Sequence, residues 1–360
     1  MYDINEIIDA AKRLKNHIYE TPLFENYELN SLCGGTVYLK PECMQMTGSF
    51  KIRGAFNFMS QLSQADAKNG VVAFSSGNHA QGVAMSGKIL NIDTTIVIPE
   101  DAPHSKIENT EKLGGNVILY DRYNEDREKI ARDIASKRNA ILVPSYDHKN
   151  IIIGQGTVGL EIIEEINEKS VPLDQVLICC GGGGLSAGSS IPIKKFSPKT
   201  EIYLVEPEHY NDTQRSIDLN KRVSNKSNKT SICDALLADK PGELTFAINS
   251  ELTENVLTVS DEEVKAAMRF AFHYFKMIVE PGGAVALAAV MSKKIELRNK
   301  VTVAVLSGGN VGSKEDSEYL KIYLKSIEVY QKLERQHKLM DFYLFYILVL
   351  NQVAKVFYFQ

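Results

Sequence analysis

Short apolar runs alternate with helix-forming stretches from about residue 70 to residue 205, and this alternation limits the possible folds more than any other feature of the chain. The runs are near-continuously apolar and end in Gly, Pro, Ser or Asn, as is typical of parallel strands that helices cover on both faces. The predicted strands are 71–74, 95–98, 116–119, 140–143, 175–179, 201–205 and 301–306. We therefore expect an α/β protein whose open, mostly parallel twisted sheets are flanked by helices.

The length of 360 residues is enough for two domains. Asp147 and His148 lie between two series of strands and helices, so we place a crossing between domains there. Two further helices are predicted at about 261–278 and 282–296, before the last strand.

The end of the chain differs from the rest. Residues 314–340 are charged and helix-prone, and the run Phe342–Leu350 is strongly apolar. A membrane span needs about 20 mostly apolar residues, and Asn351, Gln352 and Lys355 interrupt this run. A helix that packs on its own domain or on a partner subunit is therefore favoured over a membrane anchor.

Composition excludes several classes of protein. With 44% hydrophobic and 24% charged residues, the chain is neither disordered nor fibrous. The charge of −4, from 41 basic and 45 acidic residues, leaves no basic stripe for nucleic acid. The first residues lack a secretion signal, and the five cysteines are odd in number without CxxC spacing, so we expect a cytoplasmic protein with reduced, buried thiols.

The segment around Lys51 is the first candidate for chemistry. Thr47, Gly48 and Ser49 are capping and turn residues, so Phe50 and Lys51 are expected in the first turn of a helix. The positive end of a helix disfavours a charged lysine, and this lowers the cost of the neutral amine, the form that attacks a carbonyl. A solvated lysine is the alternative on this segment alone.

Two loops follow strands and precede helices. The segment 75–79 carries Ser, Gly and Asn donors that suit a carboxylate at a helix N-terminus, unless it is an ordinary turn. Four glycines at 181–184 let the backbone approach a phosphate closely. The spacing Gly182, Gly184, Ala187, with Glu206 after the next strand, also fits a dinucleotide fingerprint, so a dehydrogenase competes on this motif.

Two more segments have weaker signals. Ser307, after the last strand, brings a hydroxyl to the carboxyl edge of a sheet, where ligands of α/β proteins bind. Glu206 and Asp212 offer oxygens to a hard cation, with a main-chain carbonyl between them. A simple turn and two solvated carboxylates are the alternatives.

Four motifs, taken together and in order, resemble the fold-type II pyridoxal-phosphate enzymes, which have a tryptophan synthase β-like fold. Within them the chain is most similar to the serine/threonine dehydratases, or threonine ammonia-lyases, and the serine racemases. The motifs are Ser49-Phe50-Lys51-Ile52-Arg53-Gly54, Ser75-Ser76-Gly77-Asn78-His79, Gly181 to Gly184 and Ser307-Gly308-Gly309-Asn310. The resemblance covers about residues 5 to 312 and implies pyridoxal 5′-phosphate as the cofactor, rather than a dinucleotide.

The resemblance implies a set of domains and of site residues. The large cofactor-binding domain would comprise 1–54 and 147–312, the small substrate-gripping domain 55–146, and a helical extension of unknown role 313–360. The implied cofactor-binding residues are Phe50, Lys51, Asn78, Gly181, Gly182, Gly183, Gly184, Leu185 and Ser307. The implied substrate-carboxylate residues are Ser75, Ser76, Asn78 and His79. The implied ligands of Mg²⁺ or another divalent cation are Glu206, Tyr210 (through its carbonyl) and Asp212.

The implied activity is that of an ammonia-lyase (EC 4.3.1 type) on a β-hydroxy amino acid such as L-threonine or L-serine. Lys51 would form the Schiff base with the cofactor, then remove the Cα proton; β-elimination gives a 2-oxo acid and ammonia. The resemblance places Ser76 on the face of Cα opposite the lysine, which makes serine racemisation the close alternative; 3-hydroxyaspartate ammonia-lyase is another.

Other classes stay open. A pyridoxal-phosphate-binding protein without turnover is one, and a β-replacement synthase is another, although Arg53-Gly54 after the lysine argues against it. Cys233-Asp234-Ala235 stands where relatives often have Ala-Asp-Gly, which leaves the β-substituent undetermined. Small amino acids are the expected ligands, without nucleic acid or membrane, and a homodimer or homotetramer is the expected assembly.

Overall fold

The computed structural model describes residues 3–102, 104–225 and 229–311. All of them belong to one compact unit, residues 1–316. The predicted extension at 313–360, including the apolar run Phe342–Leu350, lies outside the described residues.

Ten strands form two sheets in the described part of the chain. They are β1 (Phe24–Glu25), β2 (Thr36–Pro41), β3 (Val71–Phe74), β4 (Thr94–Pro99), β5 (Gly115–Tyr120), β6 (Ile141–Leu142), β7 (Gln175–Cys179), β8 (Glu201–Pro207), β9 (Asn255–Val259) and β10 (Val301–Leu306). The larger sheet has the order β1-β2-β10-β7-β8-β9 and the smaller one the order β5-β4-β3-β6. Every pairing is parallel except that of the edge strand β1 with β2.

Thirteen α-helices connect or cover these strands within the described residues. They are α1 (Ile4–Leu14), α2 (Tyr27–Cys33), α3 (Lys51–Met59), α4 (Gln64–Lys68), α5 (Asn78–Leu90), α6 (His104–Lys112), α7 (Arg127–Arg138), α8 (Lys149–Glu168), α9 (Gly184–Phe196), α10 (Asp212–Asp218), α11 (Glu243–Leu252), α12 (Asp261–Phe270) and α13 (Pro281–Met291). Helix α8 buries thirteen of its twenty residues, and α13 buries every residue except its last.

The predicted α/β class is confirmed, and each of the seven predicted strands is present. Their near-continuous apolar character has the expected cause, because the central strands β7 and β10 are buried along almost their whole length. The sheets place β1, β2 and β7 to β10 together and β3 to β6 together. The domain bounds at 54/55 and 146/147 fit this division and stay a prediction.

Two helices differ from the predicted bounds of 261–278 and 282–296. The first ends at Phe270, because the backbone widens into a π-helical turn over Ala271–Phe275 and Lys276 then takes a left-handed conformation. Helix α13 begins one residue earlier than predicted, with a proline in its first turn, and ends five residues earlier.

All five cysteines are described and unpaired; four are buried and Cys43 is partly buried. Within the described residues, no helix has both the length and the apolar character needed to cross a membrane.

Candidate active site

A cavity of about 270 Å³ opens at the carboxyl ends of β3, β7 and β10, and most of the predicted site residues line it. Parallel strands bring their carboxyl ends to one edge of a sheet, where ligands of α/β proteins bind. The predicted residues on its wall are Phe50, Lys51, Ser75, Ser76, Asn78, His79, Gly181, Gly182, Gly183, Gly184, Leu185 and Ser307. Three predicted residues do not line it: Glu206, Tyr210 and Asp212.

Lys51 is the first residue of α3, as expected, and its amine lies in the cavity. Its Nζ donates a hydrogen bond to the carbonyl of Ser145 at 2.9 Å and lies 5.3 Å from the centre of the Phe50 ring. Burial lowers the pKa of Lys51 to about 8. A substantial fraction of this amine is therefore neutral, and nucleophilic, near pH 8.

The start of α3 is not capped in the predicted way. Phe50 occupies the N-cap position and makes no side-chain capping bond. The buried hydroxyls of Thr47 and Ser49 have no hydrogen-bond partner among the described groups, so neither caps the helix. The turn instead depends on Gly48, which has a φ of +68° and lies so close to Asn310 that a Cβ would be 2.3 Å from its Oδ1.

The turn at 75–79 ends β3 and begins α5, with Gly77 as the N-cap. The N–H groups of a helix's first turn have no partner inside the helix, so this turn offers backbone donors to an anion, together with the hydroxyls of Ser75 and Ser76. The His79 ring bonds the Val143 carbonyl through Nε2 at 3.1 Å. Burial, aided by the nearby Lys51 charge, lowers the pKa of His79 to about 3, so this imidazole is neutral at physiological pH.

Asn78 is held from two sides. Its Nδ2 donates to Glu280 Oε1 at 2.5 Å, and its Oδ1 accepts from Asn310 Nδ2 at 2.8 Å. Burial raises the pKa of Glu280 to about 8, which keeps this carboxyl protonated at neutral pH. The orientation of the Asn78 amide is thus fixed by residues that are far away in the sequence.

The four glycines connect β7 to α9, and Gly183 has a φ of +89° that suits glycine. Thr245 Oγ1 donates to the Gly182 carbonyl at 2.7 Å, and Asn249 Nδ2 to that of Gly183 at 3.4 Å. These bonds occupy loop carbonyls, while the first N–H groups of α9 have no partner within the helix. A Cβ on Gly182 would lie 2.5 Å from the Tyr146 ring, so the loop leaves no room for a side chain there.

Ser307 directly follows β10 and is 3% exposed. Its hydroxyl is hydrogen-bonded with the thiol of Cys179, at the end of β7. Burial raises the pKa of that thiol to about 11, so both partners are neutral at physiological pH. No ionised side chain of this pair faces the cavity at the position predicted to meet a pyridine nitrogen.

Glu206 and Asp212 are adjacent but lie outside the cavity wall. Glu206 accepts from the backbone N–H groups of Thr213 at 3.0 Å and Gln214 at 2.9 Å. Both oxygens of the fully buried Asp212 lack a hydrogen-bond partner among the described residues. Burial raises the pKa of Glu206 to about 8 and that of Asp212 to about 7. In the described part of the chain, no group of three or more His, Cys, Asp or Glu could hold a metal ion.

Comparison with known proteins shows the family of the chain. The family model described as "pyridoxal-phosphate dependent enzyme" matches residues 14–308. The chain belongs to this family. The resemblance drawn from the four motifs is confirmed, and the fold is of type II. The cofactor of the family is pyridoxal phosphate. This favours the interpretation of Gly181–Gly184 as a phosphate-binding loop over the dinucleotide fingerprint.

Three relatives show how close the similarity is. L-threo-3-hydroxyaspartate ammonia-lyase of Saccharomyces cerevisiae is 42% identical over 309 residues, which are 86% of this chain and 93% of that protein. Serine racemase of Schizosaccharomyces pombe is 40% identical over 316 residues, 88% and 96% of the two chains. The structure of the processed form of threonine deaminase isoform 2 from Solanum lycopersicum has a TM-score of 0.82 at 33% identity and covers 89% of this chain and 87% of that one.

Sequence reasoning missed several residues on the cavity wall. Tyr146, Lys106, Arg127 and Glu280 all line it, and none belongs to a motif. Glu280 had one local signal, since it directly precedes a proline that begins a helix. The others reach the cavity through the packing of elements that are distant in sequence.

Proposed function

We propose that this chain is a pyridoxal-phosphate-dependent ammonia-lyase that converts a β-hydroxy amino acid of the threonine or serine type into a 2-oxo acid and ammonia. The observation that carries the proposal is Lys51, whose buried amine has a pKa near 8 and shares one cavity with an anion-binding turn and a glycine loop. A lysine in this state suits both carbonyl attack and proton transfer.

The residues present fit the cofactor. The loop Gly181–Gly184, with Leu185, would hold the phosphate, because a loop of glycines leaves its backbone N–H groups accessible to an anion at the start of α9. Phe50 would pack on the ring, Asn78 would meet the phenolic oxygen and Ser307 the ring nitrogen. When bound, pyridoxal phosphate withdraws electrons from the substrate Cα and makes its proton acidic.

The chain's own groups then supply binding and proton transfer. The α5 N-terminus, with Ser75 and Ser76, would bind the substrate carboxylate and orient Cα. Lys51 Nζ would accept the Cα proton, and the β-hydroxyl would leave as water after protonation. Hydrolysis takes up one water molecule, so the net reaction is amino acid to 2-oxo acid plus ammonia.

The neutral pair of Ser307 and Cys179 supports elimination over transamination. A carboxylate near the ring nitrogen keeps that nitrogen protonated and deepens the electron sink, and a hydroxyl does so far less. Negative charge that develops at Cα is then relieved by departure of the β-hydroxyl.

Racemisation of serine is the alternative within this family, and Ser76 is the residue on which it depends. If its hydroxyl faces Cα opposite Lys51, it returns a proton with inversion. An ammonia-lyase for 3-hydroxyaspartate is a further alternative, supported by the relative from Saccharomyces cerevisiae. A protein that binds the cofactor without turnover is the alternative of a different class.

One experiment separates these possibilities. The purified holoenzyme is incubated with L-serine, L-threonine and 3-hydroxyaspartate, and ammonia, 2-oxo acid and D-amino acid are measured. The proposal predicts ammonia and 2-oxo acid in equal amounts, and their loss in Lys51→Ala at unchanged thermal stability. Absence of every product would leave only the non-catalytic alternative, and full activity of Lys51→Ala would refute the site.

We also propose a Mg²⁺ site at Glu206, Asp212 and the carbonyl of Tyr210. The two oxygens of buried Asp212 support it: they have no hydrogen-bond partner in the described part of the chain, and a buried carboxylate without a partner is costly unless a cation or a proton compensates it. MgCl₂ is expected to raise the unfolding temperature relative to EDTA in the wild type and not in Asp212→Asn. Equal shifts in both proteins would contradict the site.

Three further expectations belong to this proposal. We propose residues 1–54 with 147–312 as the cofactor-binding domain and 55–146 as the substrate-gripping domain, in agreement with the division of strands between the sheets. The cytoplasm is the proposed location, and a homodimer or homotetramer the proposed assembly. Light scattering on the eluting protein measures the subunit count, and a monomer would contradict the expectation.

A further inference from the structure

Asp147 caps a helix that begins 96 residues later in the chain. Helix α11 starts after Gly242, which has no side chain to accept hydrogen bonds from the first N–H groups of the helix. Asp147 supplies the acceptors instead. Its Oδ2 accepts from the N–H of Glu243 at 2.7 Å, and its Oδ1 accepts from those of Leu244 at 2.9 Å and Thr245 at 3.2 Å. One carboxylate therefore binds three N–H groups at the start of α11.

The carboxylate and the start of α11 are closely packed. A Cβ on Gly242 would lie 2.5 Å from Asp147 Oδ1, so a larger residue at this position would displace one of the two. The negative charge of Asp147 also suits the partial positive charge at a helix N-terminus. Asp147 itself does not line the cavity, so its influence on the site passes through α11.

The first turns of α11 in turn hold the glycine loop. Thr245 is fully buried, and its Oγ1 donates to the Gly182 carbonyl at 2.7 Å. The N–H of Gly242 donates to the same carbonyl at 3.4 Å. One helical turn further on, Asn249 Nδ2 donates to the Gly183 carbonyl at 3.4 Å. Two successive carbonyls of the loop are thus bound by α11.

These bonds also set the direction of the loop's N–H groups. The peptide bonds of the loop are planar and trans, so each N–H points away from the carbonyl of its own peptide group. With the carbonyls of Gly182 and Gly183 turned toward α11, the N–H groups of Gly183 and Gly184 point to the opposite side. Both residues line the cavity. Backbone N–H groups held in this way are the donors with which a glycine loop binds a phosphate.

Tyr146 contacts the same loop directly. A Cβ on Gly182 would lie 2.5 Å from the Tyr146 ring, and a Cβ on Gly184 would lie 3.0 Å from the Tyr146 Cβ. The dipeptide Tyr146-Asp147 therefore restrains the loop twice, once through the ring and once through the helix that Asp147 caps. Because Tyr146 restrains the loop, a displacement of α11 would turn the loop's peptide groups rather than carry the whole loop along.

We propose that Asp147 is a positioning residue for the cofactor phosphate. By capping α11, it keeps Thr245 and Asn249 on the loop carbonyls and so directs the N–H groups of Gly183 and Gly184 at the phosphate. This inference rests on the proposed role of the loop as the phosphate site, and it assigns to that site a residue outside the cavity wall.

The first test titrates the full-length apoenzyme with pyridoxal 5′-phosphate and with pyridoxal, which has the same ring and aldehyde but no phosphate. Visible absorbance gives both Kd values. Loss of a helix cap in Asp147→Ala should raise the Kd of pyridoxal 5′-phosphate about 3- to 30-fold and that of pyridoxal less than about 2-fold. A residue that only stabilises the fold would change both Kd values alike, because both ligands need the same folded cavity.

Asn26→Ala is the matched control. Asn26 Oδ1 caps α2 by accepting from the N–H groups of Glu28 at 2.9 Å and Leu29 at 3.3 Å, and no residue of α2 lines the cavity. The substitution should lower the unfolding temperature, as loss of a cap does. The ratio of the two Kd values should stay that of the wild type.

Asp147→Asn separates the hydrogen bonds from the charge. The Oδ1 of the asparagine can still accept from the N–H groups of Leu244 and Thr245, so the Kd of pyridoxal 5′-phosphate should return to within about 3-fold of the wild type. If Asp147 acted through its charge alone, loss of that charge would tighten binding of the anionic phosphate in both variants. Tighter binding in Asp147→Ala would therefore contradict the proposal.

Thr245→Val tests the next contact along the same path, because it removes the hydroxyl that binds the Gly182 carbonyl and keeps the shape of the side chain. It should raise the Kd of pyridoxal 5′-phosphate about 3- to 10-fold, again with little change for pyridoxal. In the double variant with Asp147→Ala, the Kd should rise by less than the product of the two single effects, because both act on one carbonyl.

The outcomes separate this inference from the proposed function. An unchanged Kd of pyridoxal 5′-phosphate in Asp147→Ala, equal increases for both ligands, or independent effects in the double variant would overturn the role of Asp147. If Asp147→Ala does not fold, equal increases for both ligands in Thr245→Val would overturn it. A wild type that binds pyridoxal as tightly as pyridoxal 5′-phosphate would instead refute the phosphate site at the glycine loop.

Discussion

Arg53, two residues after Lys51, is fully buried between two carboxylates, and its removal gives the sharpest test of how the site is supported. Its Nε and Nη2 donate to Glu42 at 2.7 and 2.8 Å, and Nη2 also donates to Glu161 at 2.9 Å. A hydrogen bond from Nη1 to Glu161 completes the second pair. The fork of one arginine thus joins α3 to α8 and to the segment after β2.

The loss of folding free energy in Arg53→Met depends on the partners that Glu161 and Glu42 keep. Glu161 keeps Lys40, whose Nζ lies 2.9 Å from Oε2. Glu42 is fully buried. Of its described side-chain partners it keeps only the hydroxyl of Thr21, at 2.6 Å. One buried carboxylate therefore loses its counter-charge, and breaking one buried pair costs about 3–5 kcal/mol. For a protein of this size the unfolding temperature should fall by about 10 °C.

Chemical denaturation of the wild type, Arg53→Met and Arg53→Met/Glu42→Gln measures this cost. The double variant should recover part of the loss, because the glutamine carries no uncompensated charge. Arg132→Met is the control: Arg132 is 67% exposed, pairs with Glu128 at 3.0 Å, and should change stability by less than about 0.5 kcal/mol. A loss below about 1 kcal/mol in Arg53→Met, or no recovery in the double variant, would refute the reasoning.

Three more predictions concern Glu280, Glu161 and Gly182. Glu280 keeps its proton up to about pH 8 instead of its ordinary 4.5, so the wild type should lose stability as the pH rises between these values, and Glu280→Gln should remove that loss. Burial alone would raise the pKa of Glu161, but the charges of Arg53 and Lys40 hold it below its ordinary value of 4.5. The stability that these charges give is lost as the pH falls below this value. Glu161→Gln should therefore be less stable than the wild type at pH 7 but less sensitive to acid. Gly182→Ala should weaken pyridoxal-phosphate binding by about 5- to 100-fold, because its Cβ would collide with the Tyr146 ring.

Each of the three has a direct readout. Thermal unfolding between pH 5 and 9 tests the first; a Glu280→Gln curve parallel to the wild type would contradict it. Acid unfolding tests the second, and an unchanged midpoint in Glu161→Gln would count against it. Titration of the cofactor by visible absorbance tests the third, with wild-type affinity in Gly182→Ala as the adverse result.

Strands and site motifs could be predicted from the sequence where a pattern of neighbouring residues encodes them. Strands β3, β4, β7, β8 and β10 are buried apolar runs, and the site motifs lie at their ends. Strand β2 was missed because Lys40 interrupts its apolar run, and a lysine is normally exposed. Lys40 is instead fully buried, and its charge is compensated by Glu161 and Glu165 on α8, at 2.9 Å each. Only the folded chain brings these groups together.

Local sequence also decides which parts of the site could be predicted. Lys51 and the glycines are recognised by their immediate neighbours, because a turn or a helix start constrains its own sequence. Glu280 and Asn78 are 202 residues apart. Their contact depends on how α5 and α13 are placed, and no local pattern encodes that placement.

The positions of Lys51 and Ser307 are joined by backbone bonds rather than by side chains. The Phe50 N–H donates to the Ser307 carbonyl at 3.1 Å, and the Gly309 N–H donates to Gly48 at 2.8 Å. Because these bonds use no side-chain atoms, a change of the Ser307 side chain can leave the lysine in place. Under the proposed function, in which Ser307 meets the ring nitrogen, the choice between elimination and other reactions then depends on this one side chain, while the backbone that positions the Lys51 amine stays the same.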